Sequence, residues 1–157
     1  MRTTVILSIA IAAALAFALT LLNFRGAPSD GDIARASAVK VLNAPELGDI
    51  LVDGDGSVLY VFERDEAAVV SCTFTCAAMW PPFRAIGNTT PRAGEGVDPA
   101  LLGSLPDPAG GEVITYNGWP LYRYAADKTP GQHRGQDINL NGGRWFVMRP
   151  SGEPLIP

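Results

Sequence analysis

The stretch GDILVDGDGSVLYVFERD, Gly48 to Asp65, and the stretch GEVITYNGWPLYRYAAD, Gly111 to Asp127, are two copies of one pattern. Each has an apolar run, a glycine-containing turn, and then Leu-Tyr-x-aromatic-x-x-Asp, Leu59 to Asp65 in the first copy and Leu121 to Asp127 in the second. The motif tyrosines, Tyr60 and Tyr122, are 62 residues apart, and each copy runs on to a tryptophan, Trp80 or Trp145, 20 to 23 residues past its tyrosine. Self-similarity at a fixed spacing marks a repeated structural unit, and it decides the fold class here. In Tyr60-Val61-Phe62 and Tyr122-Arg123-Tyr124 the outer aromatics share one face of an extended chain, the alternation expected of strands. Asp53-Gly54-Asp55-Gly56 and Asn117-Gly118 tolerate positive φ, so each copy opens as a hairpin.

Working outward, an early strand is expected at Ala38 to Leu42 and a last one at Arg144 to Met148, after the Asn141-Gly142-Gly143 turn. Helix is scarce. Short helical turns are expected at Cys76 to Trp80, stopped by Pro81-Pro82, and at Asp98 to Leu102, where Asp98 caps and Pro99 suits the first helical position. The loops Gly87 to Gly96 and Thr129 to Asn139 are long and polar. The expectation is a mainly β chain, with two tandem hairpin-based repeats (about 38–86 and 98–150) forming one small antiparallel β domain over residues 38–157.

At the N-terminus, Val5 to Leu22 reads VILSIAIAAALAFALTLL, 18 residues broken only by Ser8 and Thr20, with Arg2 before it. As a helix this run is about 27 Å long, close to the hydrocarbon thickness of a bilayer. A secretory signal peptide has a shorter apolar region and a nearby small-x-small cleavage site. The first Ala-x-Ala patterns, Ala34 to Ala36 and Ala36 to Ala38, lie a dozen or more residues beyond the run, and Pro28 hinders cleavage after Ala27. Residues 1–24 therefore read as an apolar helix serving as a signal anchor in preference to a cleaved signal peptide, and residues 25–37 as a tether. The expected location is the periplasmic or extracellular side of the cytoplasmic membrane.

All 16 acidic residues follow residue 29, so the chain beyond Arg25 carries 10 basic residues against 16 acidic ones. That sign repels phosphate backbones, and with no basic cluster nucleic-acid binding is excluded. The protein or small-molecule partner is not readable from the residues.

Cys72 and Cys76 are the only cysteines, and an even pair in an exported chain reads as a disulfide. Residues at i and i+4 of a regular helix hold their Cβ atoms about 5 to 6 Å apart, too far for the bond, so the segment must be an irregular turn. The alternative is thiol redox chemistry or a soft copper site built from Cys72 and Cys76 with His133, the sole histidine, or with Met79 or Met148. Asp65 and Asp127 invite an acid/base reading as two carboxylates of one cleft. Their identical local context favours a structural role, since a carboxylate three residues after a strand aromatic is placed to accept backbone N–H bonds and order the turn. Tyr60, Phe62, Tyr122 and Tyr124 read as core or cross-strand aromatics, and Trp80 and Trp145 as structural members of the repeat, with sugar stacking by these or Trp119 the alternative. Asp53 to Ser57 mimics half of a calcium loop, but Val58 stands where glycine is needed and Arg64 where the bidentate glutamate is needed, so it is a hairpin turn. No G-x-S-x-G, phosphate loop or H-E-x-x-H occurs.

LYVFERD, SCTFTCAAMWPPF and ITYNGWPLYRYAADKTPGQHRGQDINLNGGRWFVM together resemble the bacterial secreted-repeat proteins with a Y-x4-D motif, many of them predicted lipoproteins. The resemblance covers roughly Val39 to Pro150. It implies export and a paired-repeat β domain, and it brings no known biochemical role. The chain departs from the lipoprotein members in having no lipobox cysteine at the end of the apolar run. The combined expectation is an exported, non-enzymatic binding or structural module without a cofactor, with a copper-binding or thiol redox protein as the alternative.

Overall fold

The computed structural model describes residues 27–65, 69–87 and 89–157. The expected signal anchor lies outside the described residues, and among those described no helix is long and apolar enough to cross a membrane. The stretch expected as a tether is helical in its second half: α1, Asp30–Ala36, starts at a capping box in which Ser29 and Asp32 exchange bonds, and Arg35 reaches Asp55 at 3.4 Å. That Ser-x-x-Asp pattern is a readable helix start.

The first repeat supplies β1 (Ala38–Ala44), β2 (Gly48–Asp53), β3 (Tyr60–Phe62) and the short helix α2 (Thr75–Met79). After β4 (Arg92–Ala93) and a 3₁₀ turn at Pro99–Leu101, the second supplies β5 (Leu102–Pro106), β6 (Glu112–Tyr116), β7 (Trp119–Pro120), β8 (Ile138–Leu140) and β9 (Gly143–Val147). The described strands form three small sheets, ordered β2-β1-β4, β3-β9-β8 and β5-β6-β7, with only the β1–β4 pair parallel. The expected hairpins close as their residues dictate. Asn117 and Gly118 both take positive φ between β6 and β7, and Asp53 accepts the N–H groups of Asp55 and Ser57, each at 2.9 Å. β5 and β8 were not expected. Leu102 to Pro106 has a glycine and a proline in five residues, and Ile138 to Leu140 sits at the end of a polar loop, so neither carries a strand signature.

Backbone bonds relate the two repeats by an internal pseudo-two-fold axis between Tyr60 and Tyr122. Each of these residues donates its N–H to the other's carbonyl at 2.9 Å. On either side the pattern recurs in equivalent pairs: Leu51 N to Met148 O and Ile114 N to Phe83 O, both 2.8 Å, then Leu59 N to Leu51 O (2.9 Å) and Leu121 N to Ile114 O (3.0 Å). The consequence is intertwining. The motif strand of each repeat pairs with the closing segment of the other, β3 with β9 and Tyr122 with Pro82. Strand alternation splits the buried residues into two layers, one around Tyr60, Phe62, Trp80, Tyr122 and Trp145, the other around Leu59, Val61, Phe83, Ile114, Leu121 and Phe146.

Candidate functional site

The first layer contains a continuous stack of four rings. Phe62 lies on Trp145 at 4.3 Å, Trp145 on Trp80 at 3.8 Å with planes 2° apart, and Trp80 on Tyr124 at 4.1 Å. Tyr60 meets Trp80 edge-on at 5.4 Å and Tyr122 meets Trp145 edge-on at 5.2 Å, so the stack obeys the same pseudo-symmetry. Such pairs contribute about 0.5 to 1.5 kcal/mol each beyond the area they bury. Trp80 and Trp145 are fully buried, which closes them to sugar stacking.

The tyrosines then reach across the axis. Tyr60 donates its hydroxyl to Asp127 Oδ2 at 2.7 Å, and Tyr122 donates to Asp65 Oδ2 at 2.6 Å, so each motif tyrosine bonds the aspartate of the other repeat. The second oxygen of each carboxylate takes the expected backbone bond, from Ser71 N to Asp65 at 2.9 Å and from Arg134 N to Asp127 at 3.1 Å. Gly135 N donates to the Tyr60 hydroxyl at 3.3 Å. Burial, reinforced by the charge and bond of Asp127 on Tyr60 and of Asp65 on Tyr122, raises both phenols well above the ordinary tyrosine range. Burial also raises Asp65 above the usual carboxylate value, opposed by its bonds from Ser71 and Tyr122.

The two halves are not equal in exposure. Asp65 is 2% exposed, whereas Asp127 is half-buried at the edge of a groove of about 390 Å³ that also contains Ser57, Pro81, Arg123, Ala125 and Lys128. A second groove of about 410 Å³ contains Val61, Glu63, Trp119, Arg144, Phe146 and Ile156. Ser57, Arg123 and Ala125 hold the repeat positions of Trp119, Val61 and Glu63, and Pro81 follows Trp80 as Phe146 follows Trp145. The grooves are therefore one duplicated feature with divergent chemistry, more charged and polar in one copy and, apart from Glu63 and Arg144, apolar in the other. Arg123 is held by a 2.5 Å ion pair to the buried Asp53 and lies over the Phe83 ring, while Arg144 lies over Phe146.

Cys72 and Cys76 form a disulfide with a Cα separation of 5.2 Å. Cys76 is in α2 and Cys72 precedes it; Phe74 between them, at φ 51, breaks helical geometry and gives the irregular turn the pairing requires. The copper donor set is not assembled. His133 Nδ1 is 3.1 Å from Gly131 O and its Nε2 is 3.7 Å from Glu46, Met148 is buried in the second layer, and no cluster of three or more metal-ligating His, Cys, Asp or Glu occurs among the described residues. Among the described residues one buried side-chain donor is left over. Trp80 Nε1 has no partner, whereas its counterpart Trp145 Nε1 donates to Leu140 O at 3.0 Å, a carbonyl supplied by the β8–β9 hairpin that α2 replaces in the first repeat.

Two interlocked copies of one β unit, closed by reciprocal Tyr–Asp bonds around a shared aromatic stack, define a duplicated-repeat domain. The chain belongs to the family described as secreted repeat of unknown function, whose model matches residues 42–84 and 106–149, one copy on each side of the pseudo-axis. Membership agrees with an exported protein. No curated protein and no solved structure matches the chain.

Proposed function

We propose that this protein is a non-enzymatic module of the cell envelope that binds a partner through its two pseudo-symmetric grooves, the Tyr-x4-Asp motifs serving to lock the repeats together. The reciprocal bonding of Tyr60 with Asp127 and Tyr122 with Asp65 carries the reading. A general acid or base must reach its substrate at hydrogen-bond distance, and both motif carboxylates already accept bonds on both oxygens, with Asp65 buried besides. Anchoring through Val5 to Leu22, on the periplasmic or extracellular side of the membrane, belongs to the same proposal.

A photo-crosslinking residue placed at position 119 and, separately, at position 128 tests the grooves in growing cells. An adduct from either supports binding; none from either removes it. The non-enzymatic part fails if the purified protein turns over an envelope component and a folded Asp127→Asn variant does not.

A further inference from the structure

Phe74 is 92% exposed, the most exposed of the large apolar side chains among the described residues. It also occupies a backbone conformation that a bulky L-residue avoids, φ 51 and ψ −116. Strain of this kind persists only where surrounding structure enforces it, and here the Cys72–Cys76 disulfide closes the turn on both sides. Phe74 and Ala78 are one helical turn apart, as are Thr75 and Met79, and all four are exposed. From Val69 to Phe83 there is no charged residue, in a domain that otherwise carries an excess of acid. Val69, at 54% exposure, extends the same uncharged segment.

We propose that this disulfide-held turn is a membrane contact, inserting Phe74, with the exposed Met79 of the same helical turn, into the interfacial region of the lipid surface to which the chain is anchored. The inference rests on the envelope reading above. Chain length supports a bilayer as the occupant. The apolar run ends at Leu22 and α1 begins at Asp30, and the seven residues between them span at most about 25 Å, which keeps the domain at the bilayer surface. Patch size supports it too. Stable protein partners need on the order of 1,000 Å² of interface, far more than four or five side chains provide, whereas a second weak apolar contact is sufficient to orient a chain already tethered to lipid. The lack of charge fits a contact driven by apolar burial, with no demand for anionic headgroups.

The test uses the full chain carrying Phe74→Trp, reconstituted in vesicles of phosphatidylcholine with and without bromine on the acyl chains. Trp80 and Trp145 are buried and Trp119 is half-buried in its groove, so the wild-type chain, which carries the same three indoles, supplies the baseline. The expected result is a blue-shifted emission from the indole introduced at position 74, quenched by brominated lipid beyond that baseline, unchanged by salt and lost when Cys72→Ser and Cys76→Ser are added. If the protein stays with the vesicles in alkaline wash and the introduced indole shows no extra quenching, the membrane contact is wrong while the anchor stands. Protein released by the wash removes the anchor reading itself. Emission that shifts with protein concentration and not with lipid refutes the proposal in favour of self-association, and quenching that survives loss of both cysteines refutes the role given to the disulfide.

Discussion

Replacing Tyr122 by phenylalanine deletes one oxygen and leaves every apolar contact of the ring, so its cost isolates the bond to Asp65. That carboxylate is 2% exposed, and water cannot take the hydroxyl's place without opening the core. Bonds to charged groups contribute about 1.5 to 3 kcal/mol, and an acceptor stranded in the interior sits at the upper end of that range, so Tyr122→Phe should cost about 2 to 3 kcal/mol. Tyr60→Phe removes the equivalent bond to Asp127, which is half-buried at a groove and reachable by solvent, and about 1 kcal/mol is expected. At roughly 4 °C per kcal/mol for a domain of this size, the two melting points should fall by about 10 and 4 °C. Urea titration of residues 27–157 measures the free energies directly, and an unchanged m-value certifies that only stability moved. Double-mutant cycles then locate the bond. Tyr122→Phe with Asp65→Asn should be strongly non-additive, while Tyr122→Phe with Asp127→Asn, which pairs residues of the same repeat, should add within about 0.5 kcal/mol. Coupling within a repeat instead of across the axis would refute the interlocked arrangement, and equal costs for the two tyrosines would refute the difference in burial between Asp65 and Asp127.

Alkaline pH should unfold the protein through the same pair. Both phenols have folded-state values raised above the free tyrosine value of 10.0, so their contribution is complete below pH 10 and declines as pH rises further, by about 1.4 kcal/mol per tyrosine per pH unit, read as a urea midpoint that falls above pH 10. Burial likewise raises Asp65, so its contribution is present below the usual carboxylate range and lost as pH climbs through its folded value; Asp65→Asn should remove that segment of the pH–stability curve. Gly135→Ala would place a Cβ 2.6 Å from Trp80 Cη2 and 2.9 Å from Tyr60 Cε1, and calorimetry should show a loss of about 1 to 3 kcal/mol for the overpacking. Native protein should bind no thiol reagent until reduced, and Cys72→Ser with Cys76→Ser should cost only about 2 kcal/mol, the value for so short a loop.

The repeat, the hairpin turns, the shared face of Tyr60 with Phe62 and of Tyr122 with Tyr124, and the irregular turn at the cysteines were legible because each follows from local chemistry: periodicity, residues that tolerate positive φ, or the reach of a disulfide. The cross-repeat bonds were not. Tyr-x4-Asp is the same string in both copies, and nothing in it says whether Tyr60 will meet Asp65, five residues away, or Asp127, 67 residues away. That choice is made by the pairing of β3 with β9, which carries each tyrosine past its own aspartate, and non-local pairing leaves no mark on either strand alone. The expected backbone bonds to the aspartates were found, at Ser71 and Arg134, but they account for half of each carboxylate. The helix at Asp30–Ala36 is written in Ser29 and Asp32, and those two residues outweigh the linker-like composition of residues 25–37 that points to a tether.

Interlocking has a consequence for how the two copies have diverged. Each repeat supplies one tryptophan to the central pair, one tyrosine to the other's aspartate and one strand to the other's edge, so a change at Tyr60, Trp80, Asp127 or their counterparts injures both halves at once. Positions outside that lock carry no such constraint. They are where the copies differ most: Arg123 against Val61 and Ser57 against Trp119 in the grooves, Cys72 against Gly135 beside the tyrosine hydroxyls, and α2 against the β8–β9 hairpin. The orphaned Trp80 Nε1 marks that last difference, since its counterpart Trp145 bonds a carbonyl of the β8–β9 hairpin for which α2 has no equivalent. A duplicated frame with one closed aspartate and one at a groove, one groove more charged than the other, and a single disulfide-held turn separates what holds the fold from what is free to specialise. Function should accordingly be sought at Trp119, Lys128 and Phe74, where the pseudo-symmetry fails, and not in the motif that defines the repeat.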